Sequence, residues 1–180
     1  MKNQYLLAAT FAALSFKGLL TSIFLLVNSI SFGTVETVTI SNENEIVYGR
    51  VISVKDGDSF DLLDDDNKIH QVRLAHVDTP EKKQPFGRAA RIFTFNFVYG
   101  KRVKFYHEST DRYHRKIGIV EVEGKVLNIE IIKAGYAWHF KKYSKSIEHG
   151  AAENKAKLDK KGLWSQPNPV APWNYRKHKR

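Results

Sequence analysis

Pro80 constrains this chain more than any other residue. Its ring fixes φ and removes a backbone donor, so a strand that runs into it cannot go on pairing. The stretch Val72-Arg73-Leu74-Ala75-His76-Val77-Asp78-Thr79-Pro80-Glu81 therefore predicts a β-strand that stops near Asp78 and releases a loop. One cation, Arg73, and two carboxylates, Asp78 and Glu81, fall at that strand end. A guanidinium suits a phosphate, paired acids suit a hard divalent cation, and a further acid can orient water. Asp56-Gly57-Asp58, upstream between two strand-like runs, can bring more acid to the same place, and Asp111-Arg112-Tyr113-His114-Arg115 offers a second guanidinium downstream. Together these residues suggest phosphodiester cleavage.

The neighbouring pattern is that of a small β-rich domain. Residues 47–54 alternate and are β-branched, Asp56-Gly57 is a turn, 59–63 continues, Asp64 to Asn67 turns again and 69–77 returns, which makes a three-stranded meander. The acidic turn at Asp64 to Asp66 lacks the Gly and terminal Glu of a calcium-binding loop and is turn chemistry. Residues 86–99 predict a helix with Ala89, Ile92, Phe93 and Phe97 on one face, ended by Gly100. Residues 103–107 and 116–121 predict two more strands. Asn128 is placed to cap a helix through Ala134, with Leu127, Ile131 and Ala134 on one face and Gly135 ending it. A last helix is expected over 147–161, with Ile147, Ala151 and Leu158 on one side, closed by Gly162. The fold class is α+β, mainly β: a five-stranded Greek-key barrel of the OB type with about three helices packed on it.

The ends of the chain differ from this middle. Lys2, an apolar run from Tyr5 to Phe16, Lys17 and a second run from Leu19 to Val27 precede any acid, which fits an export signal cut after Ser31 or Gly33. The alternative is a retained membrane anchor with its tether at 5–27. Residues 1–33 are thus signal or anchor, 34–46 a polar linker, 47–166 the folded domain and 167–180 a basic, Pro-punctuated tail. Export implies a secreted or periplasmic domain, or one held outside the cytoplasm.

Charge and cysteine usage narrow the partner. Lys and Arg number 29 against 19 Asp and Glu, for a net +10, and losing Lys2 and Lys17 with a signal leaves +8. Such a surface favours a polyanion through counterion release and steering. The absence of Cys excludes disulfides, Cys-based zinc sites and a thiol nucleophile. Three Trp, eight Tyr and eleven Phe argue against disorder. None of the seven His stands at a metal-binding spacing, and all are expected to be structural or solvent-facing.

Asp56-Gly57-Asp58-Ser59, then Arg73-Leu74 leading to Asp78-Thr79-Pro80-Glu81, then Asp111 to Arg115, resemble in order and spacing the three motifs of the staphylococcal nuclease (thermonuclease) family, over about residues 47–164. The resemblance implies a bacterial exported nuclease that uses Ca²⁺, held by Asp58, Asp78 and the Thr79 carbonyl, with Asp56 behind them. It implies Arg73 and Arg115 as phosphate clamps, Glu81 as general base or water-orienting acid, and Tyr113 on the phosphate. Tyr143, among Lys141, Lys142 and Lys145, is suited to stack on a base. DNA and RNA, single-stranded or frayed, are the implied substrates, cut by a monomer to 3′-phosphate ends. Two departures stand out: Ser59 replaces the usual Thr, and His114 stands where the family has Gly. A side chain at a positive-φ position costs about 1 kcal/mol. A non-catalytic OB-fold binding module and a membrane-tethered interaction protein are the competing readings; retention of Arg73, Asp78 and Glu81 favours the enzyme.

Overall fold

The computed structural model describes residues 45–177. The expected signal or anchor, its tether at 5–27 and nearly all of the linker lie outside the described residues. In chain order the elements are β1 (Ile46–Val54), β2 (Ser59–Asp64), β3 (Ile69–Leu74), β4 (Val77–Asp78), α1 (Gly87–Val98), β5 (Arg102–Thr110), β6 (Lys116–Val122), β7 (Lys125–Val126), α2 (Leu127–Lys133), β8 (Trp138–His139), α3 (Ile147–Leu158), a 3₁₀ turn (Gly162–Ser165) and α4 (Pro172–Lys177). Among the described residues no helix is long and apolar enough to cross a membrane.

Alternation builds the barrel. β1 buries Val47, Gly49, Val51 and Val54 and exposes Tyr48, Arg50 and Ile52, with a bulge between Val51 and Ser53 that shifts its register against β2. The strand order is β3-β2-β1-β5-β6-β7, and a parallel pairing of β3 with β6 closes the five main strands into a barrel. Phe60, Leu62, Val72, Leu74, Phe105 and Val120 fill it, while Leu127, Ile131 and Ile132 of α2 pack on the same core. Each such side chain contributes on the order of 1.5–3 kcal/mol by leaving water.

Several elements differ from the sequence expectation. The strand expected to reach Val77 ends at Leu74, because His76 takes φ 66° and turns the chain; Val77–Asp78 then pairs with Trp138–His139 as a separate small sheet. α1 buries Gly87, Ala90, Thr94 and Val98, leaving Phe93 and Phe97 on the flank and Ile92 exposed. Small residues win that face because the helix lies close to the turn below it, where Thr94 Oγ1 donates 2.6 Å to the Gly57 carbonyl. Asn128 does not cap α2; its buried amide donates to the carbonyls of Ala75 and Gly118 and accepts from the Val120 N–H, joining β6 to the end of β3. α3 turns inward His149, Ala152, Glu153 and Ala156, and leaves Ile147 and Leu158 89% and 80% exposed. Beyond the three expected helices there is a fourth, α4, inside the segment read as a tail.

Candidate active site

Local turn chemistry sets the first acids. The amides of Lys55 and Asp56 donate to the Ser59 carbonyl, and Asp56 Oδ1 accepts from Ser59 Oγ at 2.5 Å and from the Asp58 amide at 3.2 Å. Ser59 in place of Thr keeps this hydroxyl bond. Gly57 is required by close approach, since a Cβ there would stand 2.7 Å from that of Ala90 and 2.9 Å from that of Thr79. The turn thereby presses against the Asp78-Thr79-Pro80 segment. The Thr79 N–H donates to Asp58 Oδ2 at 3.1 Å, and the Leu74 N–H donates to the Asp58 carbonyl at 2.8 Å. Asp78, in β4, is fixed by its pairing with Trp138.

These contacts bring Asp58 and Asp78 together, 3% and 1% exposed. Arg73 spans the pair: Nη1 donates to Asp58 Oδ1 at 2.8 Å and Nη2 to Asp78 Oδ1 at 3.0 Å. Bare carboxylates at this depth are costly, so cations must accompany them. Burial, and then the charge of Asp58, pushes Asp56 up to about 6. Asp78 is likewise raised by burial, against the pull of its hydrogen bond from Arg176, and the charge of Asp58 raises Arg73.

The second guanidinium arrives from the β5–β6 loop. Asp111 Oδ1 accepts from the amides of Tyr113 and Arg115 at 2.9 and 3.0 Å, and its Oδ2 takes Arg115 Nε at 2.8 Å. Burial opposes the charge on Asp111, but these bonds from Arg115 and Tyr113 outweigh it and hold the carboxyl below its ordinary range. His114 adopts φ 62°, the left-handed backbone that the resemblance marks with Gly, and the loop still delivers Arg115 to the cavity.

All nine expected residues, Asp56, Asp58, Arg73, Asp78, Thr79, Glu81, Tyr113, Arg115 and Tyr143, line one cavity of about 700 Å³. Tyr113 and Tyr143 are 60% and 66% exposed at its edge. Among the described residues no three acid, imidazole or thiol side chains are grouped so as to hold a metal ion, so an ion here has the Asp58–Asp78 pair and must draw its other ligands from main chain, water or substrate.

Two residues that no motif marks, Phe140 and Arg176, also line this cavity. Arg176 of α4 sets Nη2 at 2.7 Å from Asp78 Oδ2, and Nη1 at 3.2 Å from Asp78 Oδ1 and 2.7 Å from Glu81 Oε1. Tyr175 Oη donates to the Lys83 carbonyl and Gln84 Nε2 to the Val170 carbonyl, strapping α4 to the Pro80 loop. Its only sequence signal is one basic residue within a basic run.

Comparison with known proteins agrees with the geometry. The family model described as staphylococcal nuclease homologue matches residues 71–166. An uncharacterized endonuclease of Haemophilus influenzae is 35% identical over 131 residues, covering 73% of this chain and 74% of that protein. One of Escherichia coli is 37% identical over 134 residues, covering 74% and 87%. A staphylococcal-like nuclease of Arabidopsis thaliana is 38% identical over 113 residues, 63% of this chain but 35% of that longer protein. A mainly β barrel with an acid-and-guanidinium cavity is the architecture of a nuclease, a hydrolase of phosphodiester bonds. The chain belongs to the staphylococcal nuclease family.

Proposed function

We propose that this nuclease is Ca²⁺-dependent and cuts DNA and RNA with little sequence preference, leaving 3′-phosphate and 5′-hydroxyl ends. The observation that supports it is convergence: two buried carboxylates, two guanidinium forks and Glu81 face one cavity of about 700 Å³. The residues suit such an ion, because Asp58 and Asp78 are hard oxygen donors whose charge is at present met by guanidinium groups and a main-chain N–H. Asp58, Asp78 and the Thr79 carbonyl are the proposed ligands, with Asp56 behind them, bonded to Ser59. When bound, Ca²⁺ withdraws charge from a phosphoryl oxygen and makes a bound water more acidic.

The protein's own groups supply the rest. Arg73 and Arg115 are planar forks able to engage two phosphoryl oxygens each and to neutralise charge that builds in the transition state. Glu81, 40% exposed at the cavity mouth, is placed to orient the attacking water and accept its proton. Water oxygen bonds to phosphorus as the bond to the 5′ oxygen breaks; that oxygen takes a proton from solvent water, and Glu81 returns to solvent the one it accepted. Tyr113 and Tyr143 offer a hydroxyl and a ring face to phosphate and base. Contacts to phosphate and to base faces carry little sequence information. The broad substrate range follows.

EGTA is expected to abolish cleavage of a single-stranded oligonucleotide and added Ca²⁺ to restore it, with end-labelling showing 3′-phosphate products. Undiminished cutting in chelator removes the ion from the reading. Binding without cutting in Ca²⁺ favours the binding-module alternative.

A further inference from the structure

Beside the acid cavity lies a second, of about 450 Å³, and the two share Phe140 as a wall. Its lining is aromatic. Phe140 stacks on Trp173 of α4 with centroids 5.3 Å apart and planes 7° from parallel, and Trp173 meets Trp138 edge-on at 5.7 Å. On its other side Phe140 meets Tyr143 at 4.9 Å, within the acid cavity. A continuous row of rings thus leads from one cavity into the next.

The rim is cationic. Lys141, Lys142, Lys157 and Lys177 border the space against one acid, Glu153. The buried Glu153 carboxylate takes Lys141 at 3.2 Å and Lys157 at 2.8 Å, leaving the wall with positive charge in excess. Aromatic residues that serve only as core enclose one another; these border a space within the range of ligand cavities, about 300–1,000 Å³. π faces beside surplus ammonium groups bind single-stranded nucleic acid with little regard to base, because every base presents a π face.

We propose that this cavity is a nucleotide subsite for the part of the strand that flanks the cleaved bond. Bases lie against Trp173 and Trp138, and the intervening phosphates face Lys142 and Lys177. The inference rests on the nuclease reading and extends it from the reacting phosphate to neighbouring nucleotides.

All three tryptophans of the chain, Trp138, Trp164 and Trp173, belong to this ring cluster, so intrinsic fluorescence reports on it directly. Titrating the protein in EGTA with a twelve-residue oligothymidylate is expected to change tryptophan emission saturably, in step with the anisotropy of a labelled strand. In Ca²⁺, W173A is expected to raise KM for the twelve-mer roughly tenfold more than KM for a trinucleotide, the lower part of the range for one stacked base, and K177E to move the same ratio in the same direction through the lost phosphate contact. K177E sits at the rim and keeps the α4 packing, so its KM ratio decides the matter if W173A disturbs the helix. Binding and cleavage with static emission and an unmoved ratio in K177E overturn the subsite while the nuclease reading stands. Absence of both binding and cleavage overturns the two together.

Discussion

Asp78 has most of its acceptor capacity filled: Oδ1 takes Arg73 and Arg176, and Oδ2 takes Arg176 again. A cation approaching this carboxylate must displace a guanidinium, and the movable one is Arg176, whose side chain is 42% exposed against 18% for Arg73. R176A is therefore expected to tighten Ca²⁺ binding roughly fivefold, the equivalent of about 1 kcal/mol for a half-exposed pair. Calorimetry without nucleic acid measures this, and equal affinities show that Arg176 and the ion do not compete. Arg73 differs in kind, because its fork bridges two acids and is the proposed phosphate contact. R73K keeps the charge and loses the fork, so kcat is expected to fall about 10²–10³-fold with little change in thermal stability. A near-native rate in steady-state assays shows that a point charge suffices.

At the scale of elements, the β5–β6 loop holds a non-glycine residue in the left-handed region, His114 at φ 62°. H114G relieves a Cβ clash and pays some of that back as freedom of the unfolded chain, for a net gain of up to about 1 kcal/mol. Urea unfolding checks it; a destabilised variant means that the imidazole makes contacts that matter more than the backbone strain. The three motif segments were legible in the sequence because turn-forming and chemistry-bearing residues sit within a few positions of one another, as in Asp56-Gly57-Asp58-Ser59. Helix faces were less legible. α1 packs through Ala90 and Thr94, and α3 through His149 and Glu153, so counting large apolar side chains selected Ile92, Ile147 and Leu158, which face water. α4 was hidden for another reason. Arg176 meets Asp78 across 98 positions of chain, and the packing of Trp173 on Phe140 and the strap to Lys83 and Gln84 place it there.

For the molecule as a whole, a histidine cluster joins separate parts of the chain. His149 of α3 packs its ring 5.5 Å from that of His76 and 5.6 Å from that of His139, with Glu153 and Lys141 beside His139. Burial, then the charges of His76 and His139, pulls His149 from 6.5 down to about 4, and burial also lowers His139. The unfolded chain binds the proton first, so this contribution is full above pH 6.5 and is lost as pH falls from 6.5 toward 4, by about 3 kcal/mol for His149. Asp56, raised to about 6, acts in the opposite sense. Urea midpoints at intervals from pH 7 to 4.5 are expected to drop more steeply in the native protein than in H149Q; parallel slopes assign the acid lability elsewhere. The barrel's closing seam has its own consequence. β3 and β6 meet through three residue pairs, Val72 with Lys116, Arg73 with Ile117 and Leu74 with Gly118, and Arg115 immediately precedes that contact. Zipping these edges and bringing the two forks into register are one event, so with the proposed roles of Arg73 and Arg115 a partly opened barrel is expected to be inert, and heat inactivation to begin with breathing at this junction before the remaining sheet melts.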